Sequence, residues 1–202
     1  MAAFDTPEAI EVYQFLQDMA KDGLLLHATQ KEGQQAFLSG KLAMIVQTIG
    51  LQKYFRDSAN FEIKTAPFPE FKGKPRKVPA GGNTLSIFAT RPEERKAAWE
   101  FIKFLNAPEA LMKWVKGTGY LPHRKEMLED KNFLDSFIKE NPLVKAAIEV
   151  LPDVVPWPSF TGGNSLEVEK VRIDTTNAIL SGKVSAEKGL KEAVSKINNL
   201  AK

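Results

Sequence analysis

Apolar residues recur three or four positions apart over most of the chain and alternate or run together over short stretches, a mixture that predicts many helices and few strands. Ile10, Tyr13, Leu16 and Ala20 lie at helical spacing. Ahead of them Asp5-Thr6-Pro7-Glu8 reads as a helix start, with Asp5 accepting from a first-turn amide, Glu8 reaching back, and Pro7 where an amide would be unpaired anyway; Gly23 suits the stop. A short helix over 30–38 ends before Gly40. Thr90-Arg91-Pro92-Glu93 reads as a capping box for a helix with an apolar stripe of Ala98, Phe101, Ile102 and Leu105. Asn106-Ala107-Pro108-Glu109 repeats the start signal for a helix carrying Leu111, Trp114 and Val115 and stopping at Gly117. Residues 125–148 read as short helices broken at Asn141-Pro142. A long helix then passes through Val168, Val171 and Ile179 to Gly182, and Ser185 caps a last one with Leu190, Val194, Ile197 and Ala201 on one face.

Three segments have strand character. Leu42-Ala43-Met44-Ile45-Val46 is a continuous apolar run of strand length, which predicts burial on both faces as in a mostly parallel sheet. Phe61 to Thr65 alternates, and Thr84 to Ala89 forms a third. Pro67, Pro69, Gly73 and Pro75 force an extended connection, and Pro152, Pro156 and Pro158 stiffen another. Strands interleaved with helices point to α/β layers with a small sheet of three or four strands rather than a bundle.

The composition agrees with a folded globular chain: 43% hydrophobic and 26% charged residues make disorder a poor fit. The longest apolar runs fall far short of the roughly 20 residues that cross a bilayer. Met1-Ala2-Ala3-Phe4-Asp5 has neither the basic nor the apolar region of an export signal, so an exported protein would carry that signal outside this sequence. Zero cysteines exclude disulfides, thiolate metal sites and cysteine nucleophiles. The net charge of +3 is spread over helical surfaces with acids between the lysines, which is not the footprint of a nucleic-acid binder.

Catalytic chemistry has little to work with. The two histidines, His27 and His123, are far apart in sequence and lack the neighbours of a metal motif; Glu167 and Glu169, two apart on a helix, point to different faces. Binding chemistry is better supplied. Gly81-Gly82-Asn83 lets a backbone approach a ligand closely, although a strand-entry turn needs the same residues and phosphate-loop spacing is absent. Tyr54, Tyr120, Trp157 and Phe160 fall in loops or at element ends, unlike Trp99 and Trp114, which sit within helices. Trp157 is held between Pro156 and Pro158, which lowers its ordering cost on binding. Aromatic faces with a few polar groups suit sugar-like ligands, and the same aromatics also suit packing.

Several motifs, taken in order, resemble bacterial extracellular solute-binding proteins of ABC importers, the type that includes maltose-binding and glycerol-phosphate-binding receptors. They are Thr6-Pro7-Glu8-Ala9 with Phe15-Leu16-Gln17-Asp18, residues 35–44, Ala66-Pro67-Phe68-Pro69, the Gly81-Gly82 segment, residues 97–105, and Gly119-Tyr120-Leu121-Pro122. The resemblance implies an α/β, type II periplasmic-binding-protein-like fold, here the C-terminal half only, helix-rich with a small mixed sheet. It implies that residues 1–80 and 142–202 belong to one lobe of a hinged receptor and 81–141 to the other. Without the family's other half, open sheet edges favour a homodimer, and normal ligand binding by this chain alone is not expected.

By matching positions the resemblance nominates Thr48, Ile49, Gly81, Gly82, Asn83, Tyr120, Trp157, Phe160, Thr161 and Asn164 as ligand-binding residues. It implies a sugar or polyol ligand, an ABC-transporter permease as partner, a periplasmic or extracellular, membrane-associated location, and neither catalysis, cofactor nor metal. Glycerol-phosphate receptors resembling this chain carry an arginine where Phe160-Thr161-Gly162-Gly163 stands here, which favours a neutral sugar; Arg172 compensates only if it faces inward. The alternatives are a glycerol-3-phosphate or phosphodiester receptor of the same architecture and a helical protein-interaction module without a small-molecule site.

Overall fold

Helix α1 (Pro7–Lys21) starts with proline in its first turn, and the Thr6 hydroxyl accepts from the Ala9 amide at 3.3 Å. Thr6, not Asp5, is therefore the cap, because Pro7 at the first helical position fixes the residue before it as the cap. Gly23 (φ 71°) then turns the chain, and Leu24 N–H returns to the Met19 carbonyl at 2.9 Å. The computed structural model describes residues 2–157, 160 and 163–200. It divides into two compact units, one of residues up to 35 together with those after 157, the other of residues 36–157.

The first unit contains α1, α9 (Ser165–Leu180) and α10 (Ala186–Leu200), while α2 (Gln30–Leu38) leads into the second. Two apolar clusters hold it. Ile10 and Tyr13 of α1 pack with Phe4 on Ile179, Ala186 and Leu190; Val171, Val194 and Phe160 pack on Ala2, Val168 and Ile197. Ser185 caps α10 as expected, its hydroxyl accepting from the Lys188 amide at 3.4 Å. Ala201, expected on the same face, lies outside the described residues. Gln17 is the buried polar side chain of α1: its Nε2 donates to the Ile179 carbonyl at 2.6 Å and the Val184 carbonyl at 2.9 Å. Both acceptors lie at the α9–α10 turn, where the Ile179 carbonyl also accepts from the Gly182 amide at 2.9 Å. Gly189 of α10 lies against that turn, where a Cβ would sit 2.9 Å from Ile179 Cγ1.

In the second unit are α3 (Gln52–Ser58), α4 (Pro92–Leu105), α5 (Pro108–Thr118), α6 (Lys125–Glu129), α7 (Lys131–Glu140), α8 (Lys145–Glu149) and two strands, β1 (Val78–Ala80) and β2 (Val154–Pro156). Leu111 and Val115 of α5, Phe137 of α7 and Val144 form the core, with Leu121, Phe133 and Ile148 packed around it. Phe37, Phe55 and Phe61 add an edge-to-face aromatic cluster. Among the described residues no helix is long and apolar enough to cross a membrane.

Four local expectations need correction. The segments 42–46, 61–65 and 84–89 have no ladder partner and no regular secondary structure, so none is a strand; the described sheet is the two-stranded parallel pair Val78↔Val154 to Ala80↔Pro156. Extended backbone becomes a strand only against a partner, and apolarity alone does not supply one. The sheet is accordingly parallel rather than mixed. Pro92 at the first position of α4 makes Arg91 the cap, which moves the Thr90–Glu93 box out of register; Arg91 instead pairs with Glu94, three residues on. α5 runs through Gly117 to Thr118 and closes at Gly119 (φ 82°), whose N–H returns to the Val115 carbonyl at 2.9 Å. Trp114 of α5 points outward, 56% exposed.

Gln17→Leu keeps the volume of the side chain and removes its donor from both carbonyls, of which Ile179 keeps the Gly182 amide, so urea unfolding of the variant should show a loss of about 1–2 kcal/mol. A change below about 0.5 kcal/mol would mean that water satisfies both carbonyls instead.

Candidate functional site

The second unit brings two groups of nominated residues together. In the first, the Thr48 hydroxyl accepts from the Gly50 amide at 3.3 Å and caps the 3-10 turn Ile49–Leu51, which continues into α3. The Tyr120 ring lies directly over that turn. A Cβ added at Gly50 would stand 2.7 Å from Tyr120 Cζ and 2.8 Å from its Oη, so only glycine admits the ring there. The other side of the corner is held by Gln52, whose Nε2 donates to the Gly119 carbonyl. Gly119 is buried in its left-handed conformation, the Tyr120 amide donates to the Thr118 hydroxyl at 3.3 Å, and Leu121 enters the α5–α7 core. Thr48, Ile49 and Tyr120 thus meet across about 70 residues of sequence, with Tyr120 half-buried and Thr48 exposed.

In the second group, β1 and β2 emerge side by side into Gly81 and Trp157. A Cβ on Gly81 would be 3.8 Å from Trp157 Cε3, ordinary contact, and one on Gly82 would meet nothing within 4 Å. Neither glycine has a positive φ. Among the described residues no atom or backbone angle therefore requires their small size, unlike that of Gly50 and Gly119. Gly81, Gly82 and Asn83 are exposed, and the Trp157 indole is 54% exposed beside them. Just before the strands, Arg76 Nε donates to Asp153 Oδ2 at 2.7 Å and its Nη1 to the Phe68 carbonyl at 3.0 Å, which holds the pair in register.

The remaining nominees lie in the first unit. Phe160 packs on the Ala2–Val168–Ile197 cluster, and Asn164 precedes α9 with its Nδ2 donating to the Leu200 carbonyl at 2.7 Å. Thr161 lies outside the described residues. Arg172 pairs with Glu169 Oε2 at 2.8 Å, one helical turn away. His27 and His123 each meet an asparagine, Asn177 and Asn106, and among the described residues no carboxylate joins either pairing. Among the described residues no three His, Asp or Glu side chains gather to hold a metal ion.

A separate recess between α5 and α7 is lined by Met112, Lys116, Phe133, Ser136, Phe137 and Glu140. The Lys116 ammonium, 2.9 Å from Glu140 Oε2, holds that carboxyl below its ordinary range, first through the hydrogen bond and then through charge. At about 40 Å³ the recess admits a water and not a sugar.

The sequence profile of the family described as bacterial extracellular solute-binding protein matches residues 1–146 of this 202-residue chain. The chain belongs to this family of bacterial extracellular solute-binding proteins. A curated relative, the sn-glycerol-3-phosphate-binding periplasmic protein UgpB of Yersinia enterocolitica, is 26% identical over 96% of this chain and 46% of its own length. The maltotriose-binding protein of Pyrococcus abyssi is 31% identical over 69% of this chain and 30% of its own. The crystal structure of a cyclic α-maltosyl-1,6-maltose binding protein from Arthrobacter globiformis superposes with a TM-score of 0.86 at 22% identity, over 99% of this chain and 50% of that one. The type II periplasmic-binding-protein fold expected from the motifs is thus present, and this solute-binding protein chain spans about half the length of the curated relatives it matches.

Sequence reading missed Gln52, Gly50 and Arg76. Gln52 and Gly50 follow the nominated Thr48-Ile49 closely, but nothing in a single sequence ties them to Gly119 and Tyr120; Arg76 sits in a proline-rich connection 77 residues from Asp153. The two required glycines differ in a measurable way. In Gly50→Ala the far end of Tyr120 swings aside, so its ring resonances should shift while stability changes by less than about 1 kcal/mol; Gly119→Ala forces an L-residue into left-handed backbone and should lose about 1–2 kcal/mol. Unmoved Tyr120 resonances in Gly50→Ala would show that the ring does not rest on that turn.

Proposed function

We propose that this chain forms part of the sugar- or polyol-binding cleft of an ABC-importer receptor, working in the periplasm or outside the cell and passing its solute to a membrane-bound permease. The observation that carries this is the Trp157 indole lying exposed beside Gly81 and Gly82, glycines that nothing among the described residues requires to be small. A sugar's C–H face stacks on such a ring while backbone amides orient its hydroxyls, and a bare backbone is what such an approach needs. Tyr120 and Thr48 add a phenol and a hydroxyl at a rigid corner of the same unit. Ile49 and Asn83 complete that set, with Phe160, Thr161 and Asn164 proposed from the family resemblance. In the longer receptor, residues 1–80 and 142–202 form one lobe and 81–141 the other. No catalytic step is assigned, because binding and release suffice.

A neutral ligand is favoured by where the arginines are. Arg76 is engaged by Asp153 and the Phe68 carbonyl, Arg172 by Glu169, and no nominated residue is basic. A phosphate ligand calls for a free guanidinium or ammonium. The second reading, a glycerol phosphate, is favoured by the Yersinia relative, whose match runs over nearly the whole chain.

Half a cleft binds weakly, and a Kd of about 1 mM corresponds to only about −4 kcal/mol, so the test must report weak binding residue by residue. Titrating the isotopically labelled chain with maltotriose should move the amides of 48–50, 81–83 and 120 and the Trp157 indole signal, and sn-glycerol 3-phosphate should leave them in place. Trp157→Ala should weaken the response at least about tenfold. Shifts with the phosphate alone would replace the first reading by the second, and no shift with either would remove the site assignment.

A further inference from the structure

We propose that Arg76 and Asp153 are positioning residues of the solute site: their ion pair sets the strand register that places Trp157 beside Gly81, and the stacking part of the site depends on it. The register runs Val78↔Val154, Pro79↔Val155, Ala80↔Pro156, so Gly81 and Trp157 follow as the next opposed residues. A slip of one residue would part them by about 3.3 Å and, because side chains alternate across a strand, turn the indole to the opposite face. The exposed ring beside bare backbone therefore belongs to this register and not to its neighbours.

Little else can fix that register. Burial of one face specifies it in most sheets, but no residue of β1 or β2 is buried. A tight turn specifies it in hairpins, but this pair is parallel and α4 to α8 lie between its strands. Ladder hydrogen bonds are few, because the pair is three residues long and Pro79 and Pro156 have no amide to donate. The ion pair remains. Arg76 stands two residues before β1 and Asp153 immediately before β2, with side chains 22% and 30% exposed, so salt and solvent screen them less than the open pairs on the helices. The guanidinium is a rigid fork: while Nε donates to Asp153 Oδ2 at 2.7 Å, Nη1 donates to the Phe68 carbonyl at 3.0 Å, which ties the segment ahead of β1 to both strands. Thr48 and Tyr120 stand apart from this clamp, in a corner held by Gln52 and Gly50. The site thus has two parts with separate supports. That these groups contact a solute rests on the binding reading above; the register itself does not.

The test is NMR of the isotopically labelled chain carrying Arg76→Met, Arg76→Lys or Asp153→Leu, free and titrated with maltotriose. The unaltered chain should show the ring-current shift and the nuclear Overhauser contact of a Gly81 lying beside Trp157. Arg76→Met and Asp153→Leu should each remove both signals and weaken maltotriose binding at least about tenfold, while the amides of 48–50 and 120 keep their free-chain positions. The double variant should lose no more than either single one, since both act through one pair. Arg76→Lys, which keeps the charge and gives up the fork, should retain the Overhauser contact. Survival of that contact in Arg76→Met, or its loss in Arg76→Lys, overturns the inference. If Arg76→Met also disturbs 48–50 and 120, the unit has unfolded, and Asp153→Asn, which keeps an acceptor oxygen without the charge, is read for the same two signals: weakened signals support the inference and unchanged ones overturn it. An unaltered chain that shows the contact and no response to maltotriose defeats the binding reading alone, and the variants still decide the register, so the two proposals fail separately.

Discussion

An α-helix satisfies its backbone within one segment, whereas extended backbone is satisfied only against a neighbour or by water. This constraint sorts the whole chain. Every strongly periodic segment is a helix, and the three apolar segments read as strands have no ladder partner and no regular secondary structure. Where extended backbone does find a neighbour, at β1 and β2, the pair is three residues long, begins beside the Arg76–Asp153 ion pair and includes two prolines that cannot donate to a ladder. Helix packing therefore holds the second unit, and the strand pair serves to bring Gly81 beside Trp157.

In the first unit the same rule acts at the turn between α9 and α10, where the Ile179 carbonyl accepts from the Gly182 amide and, with the Val184 carbonyl, from Gln17. Gln17 reaches them from α1 and so ties residues near the start of the chain to residues some 160 positions later. Ala2 and Asn198 add a reciprocal pair, the Ala2 amide donating to Asn198 Oδ1 at 2.7 Å and Asn198 Nδ2 to the Ala2 carbonyl at 3.1 Å. Of these, Gln17 weighs more, because its bond to the Ile179 carbonyl is buried, whereas both bonds of the Ala2–Asn198 pair are partly exposed. Gly189 belongs to the same arrangement: it gives up helix propensity so that α10 can approach Ile179 and Val184 closely.

Local physics was legible in the sequence wherever it was local. Gly23, Gly40 and Gly182 have the left-handed backbone that their placing after a periodic stretch implies, and Leu111, Val115, Leu190 and Ile197 are buried as their spacing predicts. Capping went astray by one residue at Asp5 and Thr90 because proline, not the capping side chain, decides where those helices begin. The strand at 42–46 was misread for a deeper reason: Met44 and Val46 look like core and are exposed, because an apolar run becomes a strand only where a neighbour pairs with it. The site divided in the same way. Thr48, Gly81 and Tyr120 came from motif order, while Gln52 and Arg76, which position them, act through contacts 67 and 77 residues long that no local pattern announces.

The proposed binding groups are preorganised to different degrees. Gly50 and Tyr120 meet within one unit, in a corner that the Gln52 bond to the Gly119 carbonyl also holds, so the Tyr120 ring has its place before any solute arrives. Trp157 follows the short β1–β2 pair and stands between two prolines in the sequence, which restrains its backbone while its indole stays exposed. Side chains ordered in advance lower the entropic cost of binding, and a solute that uses both groups would draw on order that the fold of the second unit already supplies.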